Sequence, residues 1–177
     1  AVFNVRLNSQ PLADVTINLS SSNVLEGTIS PASLTFTALN WNVNQPVTIT
    51  GVDDPIDDGN KAYTIITAPA SSADPLYNNF NASDVSVTNN DNDTAGITVA
   101  PTSGLVTTEA GGIAIFNVHL NCEPAANVTI SFNSDNPLEG TALPASLTFT
   151  NLNWNVDQPV TITGVDDFVV DGNVPYT

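Results

Sequence analysis

Apolar and polar residues alternate with a period of two through much of the chain. Val15, Ile17 and Leu19 are separated by Thr16 and Asn18, Leu34 and Phe36 by Thr35, Val47 and Ile49 by Thr48, and Val85 and Val87 by Ser86. Successive side chains of a strand point to opposite faces, so each run predicts a half-buried β-strand with a polar outer row. Ile97 to Val99, Phe116 to Leu120 and Thr64 to Thr67 add three more, and no long helical period is visible. Clusters of Asn, Asp, Gly and Pro lie between the runs, where turns need them. Seven such strands per domain predict an all-β, immunoglobulin-like sandwich.

The chain is internally duplicated. Displaced by 113 positions, residues 1–64 align without a gap on residues 114–177, and 44 of the 64 pairs are identical, so one period is one domain. Ser33-Leu34-Thr35-Phe36-Thr37 recurs as Ser146-Leu147-Thr148-Phe149-Thr150, and Asn40-Trp41-Asn42-Val43 as Asn153-Trp154-Asn155-Val156. The expected organisation is a first repeat over residues 1–93 lacking its first strand, an acidic hinge over 94–96, and a second repeat over 97–177 lacking its last strands. Because the chain opens inside the strand-like run Ala1-Val2-Phe3-Asn4-Val5, it reads as an interior stretch of a longer protein. Two incomplete sandwiches leave sheet edges that following repeats or neighbouring identical subunits are expected to cover.

Charge narrows the function. Eighteen Asp and Glu face only Arg6 and Lys61, giving a formal net charge of -16. Such a surface repels phosphate backbones and anionic lipid, which argues against nucleic-acid and membrane partners. With Cys122 as the single cysteine, neither an internal disulfide nor a thiolate zinc site can form.

If strands alternate in direction, the loops after the first, third, fifth and seventh strands of a repeat share one end. That end receives Glu109, then Glu26, Asp135 and Glu139, then Asp53, Asp54, Asp57, Asp58, Asp166, Asp167 and Asp171, then Asp91 and Asp93. Carboxylates that converge without Lys or Arg repel one another unless a cation neutralises them, and calcium takes six to eight oxygens in a flexible shell. The candidate ligands are Asp53, Asp54, Asp58, Asp91, Asp93, Glu109, Asp135, Asp166, Asp167 and Asp171. Asp and Asn also gather in turns for conformational reasons alone, and that alternative stands beside the metal. No EF-hand is present, since Asp53-Asp54-Pro55-Ile56-Asp57-Asp58-Gly59 lacks its spacing and final Glu.

The Leu-Thr-Phe-Thr strand, the Val-Thr-Ile-Thr-Gly-Val-Asp-Asp strand and loop, Asp91-Asn92-Asp93, and Glu109 before Gly111-Gly112 together resemble the Calx-beta family and related repeats of bacterial surface proteins. The resemblance implies a seven-stranded sandwich that binds calcium at one end. It implies ligands at Glu109, at Asp53, Asp54, Asp166 and Asp167, and at Asp91 and Asp93, in a protein outside the cell or on its surface. The Glu residues that such repeats carry before the sixth strand are here replaced by Asp58-Gly59-Asn60 and Asp171-Gly172-Asn173.

Other chemistry is thin. His119, the one histidine, stands where the first copy has Arg6, and no Ser or Cys nucleophile is visibly paired with it. Paired Asp residues resemble a glycosidase couple, but they recur in a loop without an aromatic sugar platform. Trp41 and Trp154 are candidates either to plug the sandwich or to stack on sugars. Thr-x-Thr rows fit outward alternation better than an ice- or sugar-binding ladder. Sequons for glycosylation occur at Asn18, Asn81, Asn92 and Asn127. The expected function is a non-enzymatic, calcium-stiffened repeat of an extracellular fibre, filament or adhesin. The alternative is an accessory module of a large secreted protein that binds carbohydrate, such as surface glycans, or another ligand.

Overall fold

A computed structural model describes residues 1–170 and 172–177, so the candidate ligand Asp171 lies outside the described residues. The described residues form fourteen strands and no helix. They divide into two compact units, one comprising Ala1–Asp54 and Asp58–Asp91, the other Pro55–Asp57 and Asn92–Thr177. Asp57 and Asp93, which the repeat pattern assigns to the first copy, thus belong to the second unit.

Unit 1 contains β1 (Val2–Val5), β2 (Val15–Ser21), β3 (Gly27–Ser30), β4 (Ser33–Phe36), β5 (Gln45–Gly51), β6 (Lys61–Thr67), β7 (Ser71–Ser72) and β8 (Val85–Asn89). One sheet has the order β1-β5-β3; the other is β4-β2-β6-β8, with β7 also on β2. Every pairing is antiparallel. Both sheets feed one core. Val47 from the first and Leu7 from the loop after β1 meet Val15, Ile17, Leu19, Leu34 and Phe36 from the second, and Ile49, Tyr63 and Ile65 form a smaller cluster. The period-two runs therefore do what alternation requires, burying one row per strand and leaving the Thr and Asn rows outside.

Unit 2 contains β9 (Ile97–Ala100), β10 (Ile113–Leu120), β11 (Val128–Ser131), β12 (Gly140–Leu143), β13 (Ser146–Phe149) and β14 (Gln158–Gly164). Its sheets are β12-β14-β10-β9 and β11-β13, around Val118, Leu120, Leu147, Phe149 and Val160. The register repeats with the sequence. Phe3 faces Val47 as Phe116 faces Val160, Val15 faces Phe36 as Val128 faces Phe149, and Gly27 faces Gly51 as Gly140 faces Gly164.

The seven-strand expectation omits β3, its counterpart β12, and the short β7. The β3 ladder on β5 ends at Ser30, and the β2 ladder is already running at Ala32, whose carbonyl accepts the Leu19 N–H at 2.8 Å. Only Pro31 lies between, too little chain for a reversal. β3 and β4 are thus one bent strand that leaves the first sheet and enters the second at a residue with no N–H to donate. Pro144 marks the same passage between β12 and β13, where Phe132 N–H donates to Ala145 O at 2.8 Å. Counted as one strand, this segment preserves alternation, so β2, β5 and β8 run one way in unit 1, and β9, β11 and β14 run one way in unit 2.

Candidate functional site

Alternation brings the loops after β2, β5 and β8 to one end of unit 1, and Glu26 lies at its centre. The residue is only 9% exposed. Asn89 Nδ2 donates to Glu26 Oε2 at 3.3 Å and to Val52 O at 2.6 Å, and Val52 N–H donates to Glu26 O at 3.0 Å. These bonds tie the ends of three strands together. Two glycines leave the room they need: a Cβ on Gly27 would overlap the Tyr63 ring, and one on Gly51 would come within 2.6 Å of Asn89 Oδ1. Burial, and after it the negative charge of Glu26, pushes the Tyr63 phenol above its usual pKa.

The acids farther out are occupied by their own loops. Asp91 Oδ2 accepts the N–H groups of Asp58 at 3.0 Å and Gly59 at 2.6 Å, and Asp91 N–H donates to Asn60 Oδ1 at 2.9 Å. Gly59 sits at φ 75°, in the left-handed region that a side chain disfavours. Lys61 Nζ lies 3.1 Å from Asp58 Oδ2 and donates to Asp58 O at 2.8 Å. Asp53 and Asp54 are exposed.

In unit 2 the loops after β9, β11 and β14 carry the equivalent acids. Glu109 lies exposed in a turn closed by the Thr108–Gly112 bridge. Asp135 accepts Thr177 N–H at 2.7 Å and Thr177 Oγ1–H at 2.6 Å, contacts that hold its carboxyl below the usual range, the hydroxyl most of all. Asp167 Oδ1 accepts Val169 N–H at 2.7 Å, and Asp166 is exposed. Asp93 precedes β9, so within unit 2 it stands at the end opposite these acids.

Among the described residues, no group of three or more His, Cys, Asp or Glu is gathered closely enough to hold a metal. The acids have the hard oxygens that calcium takes. Asp91, Asp135 and Asp167 also accept backbone N–H groups, which leaves further lone pairs on each carboxylate.

Several residues that the sequence left open have structural work. Trp41 and Trp154 are half-buried against the two cores, and their carbonyls accept Leu7 N–H and Leu120 N–H, each at 2.8 Å. Asn40 and Asn153 each accept, through Oδ1, the N–H of the threonine three residues before, at 2.6 Å. The recurring Asn-Trp pair is thus a turn and a plug. The sequence reading missed Asp74, 2% exposed, whose two oxygens accept Leu12 N–H at 2.8 Å and Leu76 N–H at 2.9 Å. The signal it offered was Asp before Pro75, a turn-initiating pair.

His119 Nδ1 lies 2.7 Å from Asp157 Oδ1, a pair that the first copy replaces with Arg6 and Asn44. The four sequon asparagines, Asn18, Asn81, Asn92 and Asn127, are exposed. A shallow depression of unit 2, lined by Ile56, residues 123–127 and Asn151, has no aromatic side chain in its wall, and sugar rings favour aromatic faces. A scan against protein-family models gives no match, and a search among curated proteins gives none.

Proposed function

We propose that the chain is a stretch of a tandem structural repeat from an extracellular or cell-surface fibre or adhesin, serving as spacer and scaffold. The observation that carries this reading is the duplication at the level of register. The same residues pair across the same strands in both units, and the same Asn-Trp turn closes each. Repeated units with their own cores add length without new chemistry, which is what a spacer requires. The resemblance to Calx-beta repeats supports the same conclusion.

The test is the length of chains carrying two, three and four periods, measured by small-angle scattering. The maximum dimension of a spacer rises by a constant increment per period. A dimension that stops rising removes the reading.

Calcium enters the proposal as an ion that Asp53, Asp54, Asp58 and Asp91 would take up at the acidic end of unit 1, after the loop around Gly59 has rearranged. An ion that binds only the folded chain stabilises it by about 2.7 kcal/mol at a hundredfold excess over the dissociation constant. The melting midpoint is expected to rise with millimolar calcium and to fall back with a chelator. An unmoved midpoint removes the ion and leaves the spacer reading intact.

A further inference from the structure

We propose that the Asp58–Gly59 peptide is a site of self-modification: it closes to a cyclic imide that water reopens to aspartate or isoaspartate, and Asp91 and Lys61 promote the closure. The reaction requires the Gly59 nitrogen to attack Cγ of Asp58. An amide nitrogen is a poor nucleophile until its proton is drawn away, and a carboxylate is a poor electrophile until its charge is offset. Unit 1 sets a group against each obstacle.

The peptide between the two residues is held at both ends. Gly59 N–H donates to Asp91 Oδ2 at 2.6 Å, short for a bond of this kind. Lys61 Nζ donates at 2.8 Å to Asp58 O, the carbonyl of the same peptide. A carboxylate at the nitrogen and an ammonium at the oxygen together stabilise the imidate, the form in which the nitrogen attacks. The same ammonium lies 3.1 Å from Asp58 Oδ2, where it offsets the charge of the group under attack. Gly59 brings no side chain to shield its nitrogen, and the space where a Cβ would stand is empty to 4 Å. The Asp58 side chain is 38% exposed, so water reaches the ring once it has formed. In sequence, the second copy keeps Asp171-Gly172 but has Val174 in the place of Lys61. The dipeptide thus recurs without the ammonium, which separates the lysine from the making of the turn.

The Gly59 N–Cγ bond forms as the nitrogen's proton passes to Asp91. The Cγ–Oδ2 bond then breaks, and its oxygen leaves as water with that proton and one from the Lys61 ammonium, which solvent restores. Water adds to either ring carbonyl. One addition returns aspartate, and the other leaves the main chain running through the side-chain carbonyl as isoaspartate. The added methylene moves the Asp58 and Gly59 N–H groups, which now converge on Asp91 Oδ2, out of register with it.

The test incubates the full chain with a chelator in water enriched in heavy oxygen, because each opening of the ring writes one such atom into residue 58. Peptide mapping by mass spectrometry reads the label. A synthetic peptide of residues 53–65 supplies the reference, with the dipeptide and Lys61 but without Asp91. Label is expected to enter the folded chain at least about tenfold faster than the peptide, a gain that a positioned base readily supplies. Asp91→Asn keeps an oxygen for the Gly59 N–H but cannot take its proton, and it should remove the gain. Lys61→Gln keeps a donor without the charge and should remove it too. A folded chain no faster than the peptide overturns the assignment, and so does either variant that labels at the wild-type rate. The first comparison uses no variant, so misfolding of either one leaves it decisive. Neither molecular length nor melting enters the result, which stands or falls apart from the spacer and the calcium.

Discussion

Ser22 and Asp135 occupy the same place in the two copies and do the same work. Ser22 Oγ accepts Thr64 N–H at 2.9 Å, and Asp135 accepts Thr177 N–H at 2.7 Å. A carboxylate that a hydroxyl can replace is there for the backbone. Because the folded state lowers the Asp135 pKa, its contribution is complete above the unfolded value and disappears as pH falls through the lower folded one. Thr177 amide exchange should therefore accelerate below about pH 4. Asp135→Ser should abolish that dependence while keeping the amide protected at neutral pH. Tyr63 has the opposite sign: a raised phenol pKa gives stability that is full below the unfolded value, about 10, and is lost as pH rises through the folded one. Alkaline unfolding should begin at higher pH for Tyr63→Phe. At Gly27, alanine would meet the Tyr63 ring, so Gly27→Ala should cost about 1–3 kcal/mol in urea unfolding. Shortening Tyr63 to Leu in the same chain should recover part of that loss.

At the scale of elements, what the sequence revealed follows from what alternation can carry. β2, β4, β5 and β8 each place at least two apolar side chains on one face, and period two finds them. β3 places only Ile29 among the partly buried apolar residues before Pro31 ends it, and β7 has two residues. Neither places two apolar side chains on one face, so no period shows. The directions of the strands were nonetheless legible, because β3 and β4 are one strand in two sheets. Parity alone could say at which end an acid lies, and not what its oxygens face. The nearness of Asp91 to the Gly59 loop depends on that loop's φ angles, which leave no periodic trace. The duplication offers a further check, in which one substitution is made in two places. Val15→Ala should cost about 2 kcal/mol, and Val128→Ala about half as much, since less of Val128 leaves water on folding. Equal losses in denaturant titrations would mean that the two positions are equally covered in solution.

For the whole molecule the governing quantity is the net charge of -16. Self-repulsion of that size opposes compaction, and salt relieves it by shortening the Debye length from about 30 Å at 0.01 M to about 3 Å at 1 M. Melting midpoints should rise over that range equally with sodium and choline chloride, whereas a rise specific to calcium at constant ionic strength would mark ligation. The passage of one strand through both sheets has a mechanical consequence as well. Two layers joined only by loops can peel apart, each keeping its own ladder. Here the chain is sewn through at Pro31 and again at Pro144, so neither layer can delaminate without tearing rungs from the other. A tensile load on either unit then meets both ladders at once, and rupture should come as a single event.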